Sequence, residues 1–454
     1  MQSRGKGILL PVFSLPGGEG IGTLGVGARF FIDFLRQTGQ NYWQILPLGP
    51  AGQGNSPYSC LSAFAGNELF IDLEELYKKG YLKEKPQEVE NCGRVDYAAV
   101  KAEKMPWLIL AAKNFKQDKE FLKFLKENDF WLSDYAKYRE KREKIPQNII
   151  KVLQFFFFSQ WGNIREYANK NGVKIIGDLP FYVGANSVDI ISNPKNFKVG
   201  EDLTPTLLSG VPPDEFSEDG QLWETPVYNF EKQRADGFKF WRQRINQAAT
   251  LYDCVRLDHF RAFSAFYAVP SGEKTAKSGQ WIKGVGLPFF KALKKEFSCI
   301  QVIAEDLGCC ADDLKMLLEK TGFPTMKVLQ FAFDGGEDNP FLPKNFDKNC
   351  VCYTGTHDND TAASWYENAT EEIKKRVLNL CGDAGFTPCE KLITLAMHSR
   401  ADTVIIPLAD YLERGNEARI NTPGSESEDN WSWRAKTSDF NEDLKKKVGR
   451  LSER

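Results

Sequence analysis

The 454-residue chain has little net charge, only three histidines and no long apolar run. Lysine plus arginine number 59 against 61 for aspartate plus glutamate, a net charge of −2, so it carries no electrostatic footprint for nucleic acid or an anionic membrane. A neutral polar partner fits better. Apolar runs stay far below the roughly 20 residues that cross a bilayer, and a 42% hydrophobic content is that of an ordinary soluble protein. Ile8-Leu9-Leu10 meets Pro11 too soon to be the apolar core of a signal peptide. Ten cysteines lie at irregular spacings, Cys309 beside Cys310, with no CxxC pair and no Cys/His ligand spacing. They read as free thiols rather than a disulfide frame or zinc site, which implies a reducing compartment. The expected location is the cytoplasm, or a plastid had a transit peptide been removed ahead of Met1. Internal repeats, low-complexity segments and flexible inter-domain linkers are missing as well.

What is present is an alternation of short apolar runs with helical patterns. Strand candidates are Gly7–Phe13, Tyr42–Leu48, Val173–Asp178, Cys254–Asp258, Ile300–Glu305, Met326–Phe331, Cys350–Asp358 and Thr403–Leu408. Eight parallel strands with crossover helices close into a (β/α)8 barrel more naturally than an open sheet. The expected architecture is therefore one α/β barrel domain over residues 1–454. Residues 68–150, rich in Lys, Glu and Leu, form a helical insertion in it, and residues 184–232 an insertion of active-site loops. Helices are expected from Ala28 to a stop at Gly39, around Asp118–Leu125, and from Val152 to Gly172. Gly20, Gly22 and Gly25 spell GxGxxG, but seven residues separate Phe13 from Gly20 and no acid ends the next strand, so a dinucleotide site is discounted.

Carboxylates cluster where these strands end. In Cys254-Val255-Arg256-Leu257-Asp258 the alternation of a strand puts Arg256 and Asp258 on one side, and a cation beside a carboxylate favours its ionised form. A plain structural ion pair is the alternative. Asp258, Glu305 and Asp358 end the fourth, fifth and seventh strands, which converge on one barrel rim. Glycoside cleavage with retention needs a carboxylate nucleophile and a carboxylic acid about 5–5.5 Å apart, which neighbouring strands can supply. A third carboxylate can hold sugar hydroxyls. Two of the three histidines, His259 and His357, adjoin these acids, while His398 reads as structural.

The ordered set Arg-x-Asp, Glu, His-Asp resembles the α-amylase clan. Within it the chain is similar to the 4-α-glucanotransferase (amylomaltase or disproportionating enzyme) family, through Trp43–Pro50, Ser62–Asn67, Gly210–Asp214, Gly220–Trp223, Ala304–Gly308, Thr356–Asn359 and Asn421–Gly424. The resemblance spans nearly the whole chain. It implies Asp258 as nucleophile, Glu305 as general acid/base and Asp358 as transition-state stabiliser, with Arg256, Asp178 and His357 lining the donor sugar site. Tyr58, Ser56, Trp223 and Asn421 fall in segments that contact glucan in the family. No metal or organic cofactor is implied. The implied partners are an α-1,4-glucan donor and a sugar acceptor, with no nucleic acid or membrane, for a monomer or dimer. The sequence departs from the family in two places: the insertion is shorter around Tyr138 to Ile150, and Glu224-Thr225-Pro226 follows Trp223 where Gly-Asn-Pro is more usual. The same carboxylates would serve a hydrolase, and a non-catalytic glucan-binding protein is a further alternative.

An Asp258→Asn variant is expected to lose transfer activity while retaining glucan binding, since a neutral amide cannot attack an anomeric carbon. Turnover assays on the purified variant, with binding measured in parallel, check it. Near-normal turnover would remove Asp258 from the chemistry.

Overall fold

A computed structural model of the chain describes residues 4–213, 217–308, 311–381 and 385–453. Eight parallel strands form its centre: Gly5–Leu9 (β1), Tyr42–Gln44 (β2), Lys174–Leu179 (β3), Cys254–Leu257 (β4), Gln301–Ala304 (β5), Thr325–Val328 (β6), Cys350–Tyr353 (β7) and Thr403–Pro407 (β8). They are ordered β6-β7-β8-β1-β2-β3-β4-β5. The two outer members meet, because Ala304 N–H at the end of β5 donates to Pro324 O at 2.9 Å and Met326 N–H in β6 donates to Asp306 Oδ1 at 2.8 Å. The sheet is thus an α/β barrel of the TIM type.

Strand parity divides its side chains between two apolar layers. Leu9, Ile176, Cys254, Ile303, Met326, Val328, Val351, Tyr353 and Ile405 cluster together, while alternate residues such as Val255, Leu257 and Val302 join the larger core shared with the helices. Asp178, Arg256, Asp258 and Glu305 have the parity of the smaller cluster. Asp178 and Arg256 lie in its inward-facing rows near the C-terminal ends of β3 and β4, and Asp258 and Glu305 continue those rows just past β4 and β5. β1 and β2 are shorter than their apolar runs, since Pro11 and Pro47 have no N–H to add to a ladder. Val12–Ser14, for example, is a 3-10 turn.

The helical patterns are found at Val26–Gln37, Lys119–Glu127 and Gln147–Lys170, with Gly39 (φ 69°) and Gly172 (φ 76°) beyond the first and last. Between β2 and β3 lie the helices Leu73–Lys78, Tyr97–Asn114, Lys119–Glu127, Asp129–Glu143 and Gln147–Lys170. Only residues 144–146 separate the last two, which accounts for the short connection there. The last of these helices fixes the loop that follows β2. Gln154 bonds both N and O of Gly66 (2.8 and 2.9 Å), and Gln160 bonds both N and O of Asp72 (2.7 and 3.0 Å). Each buried amide satisfies one backbone donor and one acceptor, as a neighbouring strand would.

Four strands escaped the sequence reading. Leu207–Val211, Gln221–Pro226, Ala265–Pro270 and Gln280–Lys283 form a separate antiparallel sheet beside the barrel rim. Leu207–Val211, Gln221–Pro226 and Gln280–Lys283 are short, mixed in polarity and only partly buried, so they lack the continuous apolar runs of the barrel strands, whereas Ala265–Pro270 is an apolar, buried run that the sequence pattern did not separate from its surroundings. The glycines of the GxGxxG pattern have a packing explanation. A Cβ on Gly22 would lie 1.9 Å from Val12 O, and one on Gly25 would lie 1.9 Å from Asp72 Oδ2. Among the described residues no helix is long and apolar enough to cross a membrane.

Gly177 faces outward from β3 with the buried ring of Tyr252 lying against it, so that a Cβ would come within 2.3 Å of the ring. Gly177→Ala is expected to destabilise the protein by about 1–3 kcal/mol through overpacking, as read by chemical denaturation.

Candidate active site

The rim side chains are organised by one guanidinium. Register pairs Arg256 of β4 directly with Asp178 of β3, and Arg256 Nη1 donates to Asp178 Oδ2 at 2.7 Å while Nη2 lies 3.0 Å from Asp258 Oδ1. Burial pushes Asp178 up to about 7 against the opposing pull of Arg256, with the Asp258 charge adding to the rise. Tyr58 donates its hydroxyl to the same Asp178 Oδ2 at 2.7 Å. That leaves Asp178 Oδ1 buried with no hydrogen-bond partner among the described residues.

A second chain of contacts starts from the Tyr58 oxygen, 2.8 Å from His357 Nε2. Because the tyrosine spends its proton on Asp178, Nε2–H of His357 must be the donor here, which assigns the tautomer. Burial lowers the pKa of His357 and keeps the ring neutral. The two rings stack, centroids 5.3 Å apart and 10° from parallel, with Trp431 at 5.7 Å from Tyr58 and 6.1 Å from His357. Nε2 is also 3.3 Å from Asp358 Oδ2, and the other oxygen of Asp358 accepts from Asn421 Nδ2 at 2.7 Å. Asn421 N–H is bound to His357 O at 3.1 Å, so one residue positions both neighbours.

Glu305 is held differently. Its Oε2 accepts the backbone N–H of His259 at 2.8 Å and its Oε1 that of Leu307 at 2.9 Å. Burial raises it to about 7 despite Arg256, and the Asp258 charge pushes in the same direction. The side chain of Asp258 is 24% exposed and that of Asp358 41%, against 0% for Asp178, so the first two open onto the cleft and the third forms its wall.

The remaining expected residues stand at the edges. Ser56 Oγ accepts the Tyr58 N–H at 3.2 Å, an ordering contact within its own turn. Trp223 packs edge-on against His259, centroids 4.9 Å apart, with Tyr182 at 6.3 Å. Glu224 has φ 57°, a left-handed position where glycine is unstrained, which explains why Gly suits it elsewhere in the family. Phe216, seven residues before Trp223, lies outside the described residues, as do Cys309 and Cys310.

Three contributors were not foreseen. His259 (φ 47°) offers its backbone rather than its ring to Glu305, a role invisible in residue type. Arg244, buried in the helix Lys239–Leu251, donates to Phe181 O at 2.9 Å, Tyr228 OH at 2.8 Å and Pro180 O, bracing the loop after Asp178. Arg419 donates to Asp358 O at 3.1 Å and Asn421 O at 2.9 Å. No sequence signal singled out either arginine.

A family model described as 4-alpha-glucanotransferase matches residues 10–149 and 139–439. The chain belongs to the 4-alpha-glucanotransferase family. It is 44% identical to the 4-alpha-glucanotransferase of Clostridium butyricum, over 97% of this chain and 98% of that protein. The 4-alpha-glucanotransferase of Thermus thermophilus is 40% identical over 95% and 94% of the two chains. Among solved structures, the amylomaltase from Streptococcus agalactiae in complex with acarbose superposes with a TM-score of 0.94 at 33% identity, covering 99% of both chains.

Removing the Asp258 charge should lower the titration midpoint of Glu305, because one of the like charges that oppose its ionisation is gone. In Asp258→Asn, the carboxyl 13C resonance of Glu305 should move at lower pH than in the wild type. An unchanged midpoint would mean that the Asp258 charge does not contribute to the rise.

Proposed function

We propose that this chain transfers segments of α-1,4-glucan to the 4-hydroxyl of another sugar by retaining double displacement. The Asp258 carboxylate attacks the anomeric carbon as the bond to the leaving glycosidic oxygen breaks and Glu305 delivers its proton to that oxygen. In the second half the acceptor 4-hydroxyl attacks the same carbon, Glu305 takes the hydroxyl proton, and Asp258 leaves. One observation carries this reading above the others: two carboxyl groups at adjacent strand ends have opposite surroundings. Asp258 is in contact with the Arg256 cation, while Glu305 is buried and pushed up to about 7, so it keeps its proton to higher pH than an ordinary carboxyl.

Asp358, held by Asn421 and His357, is the group that bonds sugar hydroxyls and steadies the distorted ring as positive charge develops. Asp178 Oδ1, unpartnered and buried, is suited to a further sugar hydroxyl, and Tyr58 and His357 form the flat wall of the donor site. Ser56 orders the turn that carries Tyr58. No step calls for a metal or an organic cofactor. Unbridged thiols at Cys60, Cys92, Cys254, Cys299, Cys350 and Cys389 support action in a reducing compartment such as the cytoplasm.

Transfer wins over hydrolysis, against roughly 55 M water, only when an acceptor sugar occupies the space from which water would attack. Trp223, half-buried and edge-on to His259, is the aromatic surface for that sugar.

Incubation with maltotriose should give longer oligosaccharides together with glucose, and Trp223→Ala should raise the ratio of hydrolysis to transfer severalfold. Chromatography of the products reads both. Glucose and maltose without longer products from the wild type would make the protein a hydrolase, and an unchanged ratio in the variant would reduce Trp223 to packing.

A further inference from the structure

Nine of the ten tryptophans are buried or partly buried, and Trp281 alone is exposed, at 43%. It stands on Gln280–Lys283, the outermost strand of the antiparallel sheet, and the surrounding structure holds it in place there. The Arg261 guanidinium lies 4.6 Å from its ring centroid. Tyr267, its direct cross-strand partner, meets it edge-on at 5.5 Å and 68°. Arg261 is paired in turn with Asp313 at 3.4 Å, so its charge is already matched.

Register shows which way the ring points. Leu222, Gly210, Tyr267 and Trp281 form one cross-strand row and so share a face. The loop after Pro270 covers the middle of that row, where Tyr267 donates its hydroxyl to Ala276 O at 3.0 Å and Gly279 is flush against the Tyr267 ring. Its cover stops short of Trp281. Trp223 follows Leu222 in the strand, and by alternation faces the opposite side, toward His259 and the cleft. One sheet therefore presents one indole to the cleft and another to solvent, three strands apart, a lateral distance of roughly 14 Å at about 4.8 Å per strand.

We propose that Trp281 is the platform of a second glucan-binding site, outside the barrel cleft, that engages long α-glucans and not short oligosaccharides. This rests on the glucan substrate proposed above. A partly exposed indole held between Arg261 and Tyr267 suits the apolar face of a glucose ring, and the ordering cost has already been met in folding. A neutral polyhydroxyl chain fits better than an anion, because Asp313 already compensates Arg261. The sheet links this site to the strand of Trp223, so a chain held at Trp281 has its continuation close to the cleft, and the local concentration of donor ends rises.

The experiment uses the wild-type enzyme and Trp281→Ala, each assayed on maltotriose and on soluble amylose. Trp281→Ala should leave the KM and kcat for maltotriose within about twofold and raise the KM for amylose about fivefold, the loss expected for one ring stack. Trp281→Phe, which keeps an aromatic face, should fall between. Independently of any variant, N-bromosuccinimide should oxidise Trp281 first in the wild type, as mapped by mass spectrometry, and amylose should protect it where maltotriose does not. Equal losses on both substrates, or oxidation of Trp281 undiminished by amylose, overturn the proposal. A wild type inactive on maltotriose would instead overturn the proposed function, so the two failures are distinguishable.

Discussion

Arg256 is the interaction on which the rest of the site depends. It is a cation almost out of reach of water, at 5% side-chain exposure, and its stability rests on the two carboxylates it touches. Breaking such a pair by deleting one member typically costs 3–5 kcal/mol, because the survivor is left charged and unmatched in a poor solvent for charge. The pair therefore ties β3 to β4 at the rim and places Asp178 and Asp258 relative to each other through a planar group that bonds both. From Asp178 the order passes to Tyr58, then His357, then Asp358 and Asn421, each by a hydrogen bond or a ring contact.

The carboxyl groups of the rim are chemically identical or nearly so, and their surroundings make them different. Asp178 is enclosed and engaged by Arg256 and Tyr58 through one oxygen, Asp258 shares a cation and faces the cleft, Asp358 is the most exposed and is steered by Asn421, and Glu305 is bound through both oxygens to backbone N–H groups. Two donated bonds favour the ionised form of Glu305, yet burial and the neighbouring Asp258 outweigh them. A carboxyl that gives and retakes a proton near neutral pH needs such a balance. The scaffold that sustains it reaches well beyond the barrel. Gln154 and Gln160 hold the loop of Tyr58, and Arg244 holds the loop after Asp178.

The barrel itself was legible because its strands are covered on both faces, so each appears as an apolar run that ends at a polar residue. The strand-end acids were legible for the same reason: burial does not account for Asp258 after Cys254–Leu257 or Glu305 after Gln301–Ala304. The antiparallel sheet was not, since three of its four strands are short, mixed in polarity and only partly buried, and the fourth, Ala265–Pro270, is an apolar run that nothing in the pattern marked as a separate strand. Nor was the service of His259, which comes from the backbone. Its residue type suggested a ring in the chemistry, but the ring is buried against Trp223 and held neutral by that burial, with its pKa near 4.

By itself the amino-acid sequence determined the number of barrel strands, their alternation with helices, and which residue types end which of them, because these follow from hydrophobic period and from local backbone chemistry. It also determined the parity by which Arg256 and Asp258 share a side, a matter of counting along one strand. Tertiary structure alone decided what those residues meet. That Asp178 lies across from Arg256, that Tyr58 reaches both Asp178 and His357, and that Asn421 steers Asp358 are contacts between segments 63 to 299 positions apart. Such contacts exist only once the barrel has closed, since closure is what brings distant strand ends within hydrogen-bonding range and excludes the water that would otherwise compete for them.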